Sequence, residues 1–122
     1  MDNPSIRVAL STHLAQQPIN YQTPSNFTTP VKYNVQIRNR PYQAIIDSGA
    51  SISMIAHRVV KELGLKIDQV SSSLIVAATG NSTRPLGIIR DLLVEVDNTI
   101  IPIDVEVVNV NSYSLLLGND WS

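Results

Sequence analysis

Apolar and polar residues alternate along two segments that flank Asp97-Asn98, and this pattern constrains the fold more than any other feature. A period of two residues is typical of a β-strand with one buried face, and Asp-Asn favours a tight turn between two such strands. Pro102 in the second segment lacks a backbone N–H, so we expect that strand to run at a sheet edge or a bulge. The alternating apolar residues are Leu92, Val94 and Val96 before the turn, and Ile101, Ile103, Val105 and Val107 after it.

Further short apolar runs indicate that the rest of the chain is also built mainly from strands. Tyr33 to Ile37 and Tyr42 to Ile46 flank Arg38-Asn39-Arg40-Pro41, which predicts a second hairpin. The sum of about seven short strands indicates a mostly β fold, either a barrel or a sandwich. The remaining runs are Leu74 to Ala78, Pro85 to Ile89 and Leu115 to Leu117, with a turn at Thr79-Gly80-Asn81-Ser82 between the first two.

One segment has the spacing of a helix rather than that of a strand. Its apolar residues recur three or four positions apart, while His57, Arg58 and Lys61 turn outward. Gly64 stands where a glycine commonly ends a helix. We therefore predict one short helix that ends before Gly64. The apolar residues of this pattern are Ile52, Ile55, Ala56, Val59 and Leu63.

The 122 residues suffice for one domain with a core of its own. Residues 1–30 differ from the rest, because Ser, Thr, Asn, Gln and Pro dominate there. We predict a partly flexible arm over residues 1–30 and a folded domain over residues 31–122. Within the arm, one short strand or helical turn is expected around Ile6 to Leu14. Whether a strand at Ile6 to Leu10 pairs with the barrel is left open by the pattern.

Composition excludes several classes of function. The chain has no Cys, which excludes a disulfide framework and a cysteine nucleophile, and its formal net charge of -1 argues against nucleic-acid binding. No apolar run is long enough to span a membrane, and the N-terminus lacks the pattern of a secretory signal, so we expect an intracellular protein without a membrane partner. His13 and His57 are the two histidines, one in the arm and one on the polar face of the helix. We therefore predict no metal site and no cofactor.

The segment from Ala44 to Ser51 is the strongest candidate for chemistry. An apolar strand leads directly into Asp47, where a carboxylate is costly to bury unless it is hydrogen-bonded. Ser48 and Gly49 permit a tight turn whose N–H groups can point back at this carboxylate, and Ser51 adds a hydroxyl able to fix the loop. The alternative is structural, with Asp47 as the N-cap of the next helix.

Four segments, in order, resemble the retropepsin-like aspartic proteases of retrotransposons and related retroelements. The resemblance covers residues 31–121 and implies a retropepsin-like closed β-barrel half with a flap hairpin. The active-site signature is matched by Asp47-Ser48-Gly49-Ala50-Ser51, and the stretch after it by Ile52 to Leu65. The flap hairpin is matched by Ala77-Ala78-Thr79-Gly80-Asn81 and Pro85-Leu86-Gly87. The segment beside the active-site loop is matched by Ser114 to Trp121, which includes Leu116-Leu117-Gly118.

This resemblance implies an aspartic endopeptidase in which a pair of carboxylates shares one proton and activates water. The chain has a single Asp-Ser-Gly, so the active form should be a homodimer with Asp47 from each subunit. Ser48 would hydrogen-bond across the dimer, Gly49 would help to bind substrate backbone, and Gly80 would lie near the flap tip. The substrate would be an extended polypeptide, the retroelement polyprotein itself, in the cytoplasm or a retroelement particle.

The chain departs from the resembled family at its end, Trp121-Ser122, because family members usually continue into a helix and, in retroviral members, a strand. We expect this C-terminal helix and strand to be truncated, which would leave the chain folded but inactive if it cannot dimerise. The alternative is that the arm over residues 1–30 forms the dimer contacts instead. Two alternative functions share the fold. One is a cellular domain of the kind found in ubiquitin-linked shuttle proteins. The other is a binding or dimerisation module that keeps the Asp-Ser-Gly turn for structural reasons.

Overall fold

The computed structural model describes residues 7–11, 31–77 and 80–119. Within them it shows one short helix and nine strands, somewhat more strands than the sequence pattern predicts. The mostly β character expected from the alternation is thereby confirmed. In chain order the elements are β1 (Arg7–Ser11), β2 (Val31–Ile37), β3 (Arg40–Ile46), β4 (Met54–Ala56), α1 (His57–Leu63), β5 (Ser73–Ala77), β6 (Ser82–Thr83), β7 (Gly87–Val96), β8 (Thr99–Val108) and β9 (Leu115–Leu117).

Both predicted hairpins are present, and each turns through two residues with positive φ. Strands β2 and β3 are joined by Arg38 and Asn39, at φ 52 and 64, and strands β7 and β8 by Asp97 and Asn98, at φ 51 and 64. Such turns match the twist of the strands they connect, and Asn and Asp tolerate this region better than most residues. Pro102 lies where β8 pairs with β7 alone, since β4 joins β8 only from residue 106 onward. The expected edge position is therefore confirmed.

Six strands close into a barrel in the order β2-β3-β9-β4-β8-β7. Strand β9 lies between β3 and β4, parallel to the first and antiparallel to the second. The barrel closes where β2 meets β7, through the pair Gln36 and Glu95. As a result, the end of β3 and the start of β4 lie on either side of β9, and the loop that joins them spans this strand.

The helix is shorter than its apolar spacing predicts. Ile55 and Ala56, which were expected to be helical, lie in strand β4 (Met54–Ala56), and α1 begins only at His57. All three residues of β4 are buried between β9 and β8, so their apolar character comes from the barrel and not from a helix face. The predicted end is confirmed: Gly64 has φ 64 and its N–H donates to Lys61 O, while Leu65 N–H donates to Val60 O.

A second sheet of three strands, in the order β1-β5-β6, lies beside the barrel. Strands β5 and β6 form a hairpin across the predicted turn, with Ile75 opposite Thr83 and Val76 opposite Ser82. The predicted return strand is wrong, because Ser82 and Thr83 pair with β5, whereas Gly87–Val96 pairs with β8 in the barrel. The arm does contain a strand, β1, but it pairs parallel to β5 rather than with the barrel. The rest of the arm, residues 1–6 and 12–30, lies outside the described residues, and the division at residue 31 stays a prediction.

The buried apolar residues form two clusters. The larger fills the barrel, and Val59 and Val60 of α1 pack against it. The smaller lies around the β3–β4 loop and includes Ile75 of β5, so it joins the hairpin sheet to the barrel. Its members are Ile45, Ala50, Ile52, Met54, Ile75, Val108, Tyr113 and Leu116.

No helix within residues 7–11, 31–77 and 80–119 is long and apolar enough to cross a membrane.

Candidate active site

Asp47 lies directly after β3, where the parallel strand β9 ends beside it. Its backbone N–H donates to Leu117 O at 3.0 Å, which continues the pairing of the two strands by one residue. The residue is only 8% exposed. A carboxylate this buried needs hydrogen bonds in place of water, and the loop that follows supplies one.

The loop from Ser48 to Ser53 folds back onto Asp47. Gly49 N–H donates to Asp47 Oδ1 at 2.9 Å, and Ala50 N–H donates to Asp47 O at 3.1 Å. The expectation that backbone N–H groups point at this carboxylate is thus confirmed for Gly49. The structural alternative is wrong, because α1 begins ten positions later with Ala56 as its N-cap residue and without a side-chain cap.

Gly118 is required by the close packing of the loop against the end of β9. A Cβ built at this position would lie 2.4 Å from Ile52 O and 2.8 Å from Ala50 O, well inside van der Waals contact. The loop is tied to the same segment by Asn119 N–H, which donates to Ala50 O at 2.9 Å. Leu116 and Leu117 are buried in β9 beside the loop. The segment Leu116-Leu117-Gly118 therefore packs directly against the loop that follows Asp47.

Ser53 provides the hydroxyl that fixes the loop, a function the sequence pattern suggested for Ser51. Ser51 is exposed, whereas Ser53 is fully buried and its Oγ accepts a hydrogen bond from Gly118 N–H at 3.1 Å. Sequence reasoning missed Ser53 because its partner lies 65 positions away. In the sequence, the available signal was a small polar residue, Ser53, between apolar residues.

Tyr113 is a second residue that the motif left out. Its ring belongs to the cluster around the loop, it is 4% exposed, and its hydroxyl donates to Met54 Sδ at 3.7 Å. Burial raises the pKa of Tyr113, and the negative charge of Asp47 raises it further.

Replacing Tyr113 by Phe should change the alkaline stability of the protein. The folded chain keeps Tyr113 protonated above pH 10, while the unfolded chain ionises it, so the free energy of unfolding must fall as pH rises past about 10. Between pH 8 and pH 11 the free energy of unfolding should fall by about 1.4 kcal/mol more in the wild type than in Tyr113→Phe. Urea unfolding at both pH values measures this. Tyr33 and Tyr42 are present in both proteins and contribute equally to the loss. An equal loss of unfolding free energy in the two proteins would therefore contradict this prediction for Tyr113.

The flap residues are only partly described. Gly80 is exposed with φ 93, a conformation that favours glycine, and Asn81 is exposed beside it. Thr79 lies outside the described residues, as does Ala78. Gly80 thus lies between β5 and β6, and its assignment to a flap tip stays a prediction.

The other residues considered as candidates for a functional site are the histidines and Arg38. Within the part of the chain that the structure describes, no three His, Cys, Asp or Glu side chains are grouped closely enough to hold a metal ion. His57 is the first residue of α1, and His13 lies outside the described residues. Arg38, in the turn between β2 and β3, donates to Leu63 O at 3.0 Å at the end of α1.

The sequence was compared with protein-family models, and residues 13–122 match the model described as retroviral aspartyl protease. The chain belongs to this family. Membership of this family supports aspartic protease activity at the family level. The match begins at residue 13, so it includes residues 13–30 of the polar arm.

Known relatives of this aspartyl protease domain come from cells as well as from retroviruses. DNA damage-inducible protein 1 of Saccharomyces cerevisiae is 30% identical over 129 residues, which cover 98% of this chain but 30% of the yeast protein. The retroviral protease-like domain of Ddi1 from Leishmania major has a TM-score of 0.61 at 22% identity, with 77% of this chain and 76% of that chain covered. The EIAV protease in complex with the inhibitor HBY-793 has a TM-score of 0.62 at 16% identity, with 80% and 89% covered. These structural likenesses establish the retropepsin-like fold.

Proposed function

We propose that this domain is an aspartic endopeptidase whose catalytic residue is Asp47. The observation that carries the proposal is the placement of this carboxylate, 8% exposed and bound by Gly49 N–H, at the end of a strand in a member of the aspartyl protease family. The hydrogen bond from Gly49 N–H to Oδ1 helps to hold the carboxylate in place at the end of β3.

The reaction requires a second carboxylate, and we assign it to Asp47 of a second copy of the chain. The chain contains one Asp-Ser-Gly sequence, and a two-fold axis brings identical residues together. Two carboxylates that meet at this axis repel each other if both are ionised, so the pair shares one proton. The ionised member takes a proton from the water between them, and the protonated member hydrogen-bonds to the scissile carbonyl. Water then attacks, and the tetrahedral intermediate collapses to acid and amine with no covalent enzyme intermediate.

The remaining loop and flap residues support substrate binding in this proposal. Ser48 and Gly49 are exposed at the loop surface, where Ser48 would bond across the dimer and Gly49 would contact substrate backbone. The hairpin of β5 and β6, with Gly80 at its turn, would close over an extended polypeptide held by main-chain hydrogen bonds. The proposed substrate is the polyprotein of a retroelement that contains this domain.

Ligand-linked dimerisation tests this proposal. Sedimentation velocity over a concentration series should show more dimer when a peptide with a hydroxyethylene group in place of the scissile amide is added, because the ligand binds the dimer alone. The same peptide should inhibit cleavage of unstructured polypeptide at about pH 4 to 7, where one proton per carboxylate pair is expected. The proposal would be contradicted if the chain stayed monomeric at every concentration with the peptide bound. It would also be contradicted if the unstructured polypeptide were not cleaved.

A second candidate function is favoured by the relatives from yeast and Leishmania. Their similarity to this domain fits a cellular domain of the kind found in ubiquitin-linked shuttle proteins, with the same catalytic residues and selected client proteins as substrates. The two functions differ in what is cut. Incubating the active dimer with ubiquitin-conjugated proteins, and separately with its own flanking polypeptide, distinguishes them by which substrate is cleaved.

A further inference from the structure

A second buried carboxylate, that of Glu106, lies outside the active-site loop. Glu106 is 3% exposed and lies near the C-terminal end of β8, where it pairs with Ile88 of β7 on one side and with Met54 of β4 on the other. An acidic side chain is seldom buried this completely unless hydrogen bonds replace its water. The hydrogen-bond partners of Glu106 therefore indicate which parts of the structure this residue connects.

The carboxylate of Glu106 is bound to the base of the flap hairpin. Ser71 Oγ donates to Glu106 Oε1, and the same hydroxyl accepts a hydrogen bond from Ser73 N–H at 3.0 Å. Ser73 is the first residue of β5, the strand that leads to the flap turn. One hydroxyl thus links the barrel carboxylate to the first peptide group of the flap strand.

The backbone of Glu106 is bound to the active-site loop. Its N–H donates to Ser53 O at 3.0 Å, and Ser53 Oγ accepts from Gly118 N–H at 3.1 Å. Ser53 is the last residue of the loop that begins at Asp47. A single residue of β8 therefore contacts both parts of the site that must meet around a substrate, the loop through its backbone and the flap base through its side chain.

We propose that Glu106 is a positioning residue that fixes the base of the flap relative to the active-site loop. The proposal rests on the proposed endopeptidase function, since it assumes that the flap closes over substrate bound at Asp47. If the base of the flap is already fixed, the flap loses less conformational entropy when it closes over a substrate. Loss of the link should therefore weaken substrate binding more than it slows the chemical step, so KM should rise while kcat changes little.

Ser71→Ala removes the bridging hydroxyl and tests the link. We expect KM to rise about tenfold with kcat within about threefold of wild type, and Ser71→Thr, which keeps a hydroxyl, to recover most of the loss. Glu106→Leu, which removes the carboxylate that accepts from Ser71 Oγ, should give a similar rise in KM, and the double variant should be no worse than either single one. Ser72→Ala is the matched control, with KM unchanged.

Amide hydrogen exchange without substrate separates this proposal from the proposed function. In Ser71→Ala the amides of β5, residues 73–77, should exchange about tenfold faster, and in Ser72→Ala they should not. This measurement stands even if the wild type cleaves no peptide. A lowered melting temperature in Ser71→Ala with unchanged KM and unchanged exchange in β5 would overturn the positioning role, as would an additive double variant.

Discussion

Replacing Asp47 by Asn is expected to reduce kcat by about a thousandfold or more, because the variant loses the general base and the shared proton of the carboxylate pair. The fold should survive, since the amide oxygen of Asn can still accept the hydrogen bond from Gly49 N–H. The free energy of unfolding should stay within about 1 kcal/mol of the wild-type value. Steady-state cleavage of a peptide, with urea unfolding on the same samples, measures both quantities.

Asp97→Asn is the matched control for this substitution. Asp97 is exposed in the turn between β7 and β8 at φ 51, a conformation that Asn also tolerates, and it lies outside the active-site loop. Its kcat should stay within about twofold of wild type, as is usual for surface positions away from the site. If Asp47→Asn retained more than a tenth of the wild-type rate while Asp97→Asn behaved normally, the assignment of Asp47 as catalytic would be wrong.

The second large effect is expected at Gly118, where Ala should cost about 3 kcal/mol of folding free energy. The added Cβ would meet two backbone oxygens, Ile52 O and Ala50 O, which cannot move without opening the active-site loop. The bonds from Asn119 N–H to Ala50 O and from Gly118 N–H to Ser53 Oγ would be disturbed together. Activity should fall with stability, because the same movement displaces the loop that binds Asp47.

Gly64→Ala serves as the control for Gly118→Ala. Gly64 has φ 64 but open space around a built Cβ, so Ala there should cost about 1 kcal/mol from backbone strain alone. Activity of this variant should be unchanged. Equal destabilisation at the two glycines would contradict the steric account of Gly118.

The parts of the fold set by local pattern were predictable from the sequence. Alternation placed the β7–β8 hairpin, and Gly64 marked the end of α1, because a two-residue period and a C-terminal glycine each have one usual structural meaning. The site was predictable only at Asp47 and the residues next to it, where an acid after an apolar strand demands backbone donors.

The remaining features depend on contacts between distant parts of the chain. Ile55 and Ala56 fitted a helical spacing, but β8 and β9 enclose them as a strand, and a strand buried on both sides loses its two-residue period. Tyr113 and Glu106 acquire their partners across 59 and 35 positions. The pairing of β1 with β5 likewise brings together residues that no local pattern relates.

Cleavage by mixtures of wild type and Asp47→Asn tests the central claim most directly, namely that each active site takes one Asp47 from each of two chains. Subunits are mixed in equal amounts, allowed to exchange, and assayed at constant total concentration. If only dimers with two wild-type chains cleave, random pairing leaves about one quarter of the activity of wild type alone. Activity of about one half would mean that each chain acts by itself, and would contradict a shared active site.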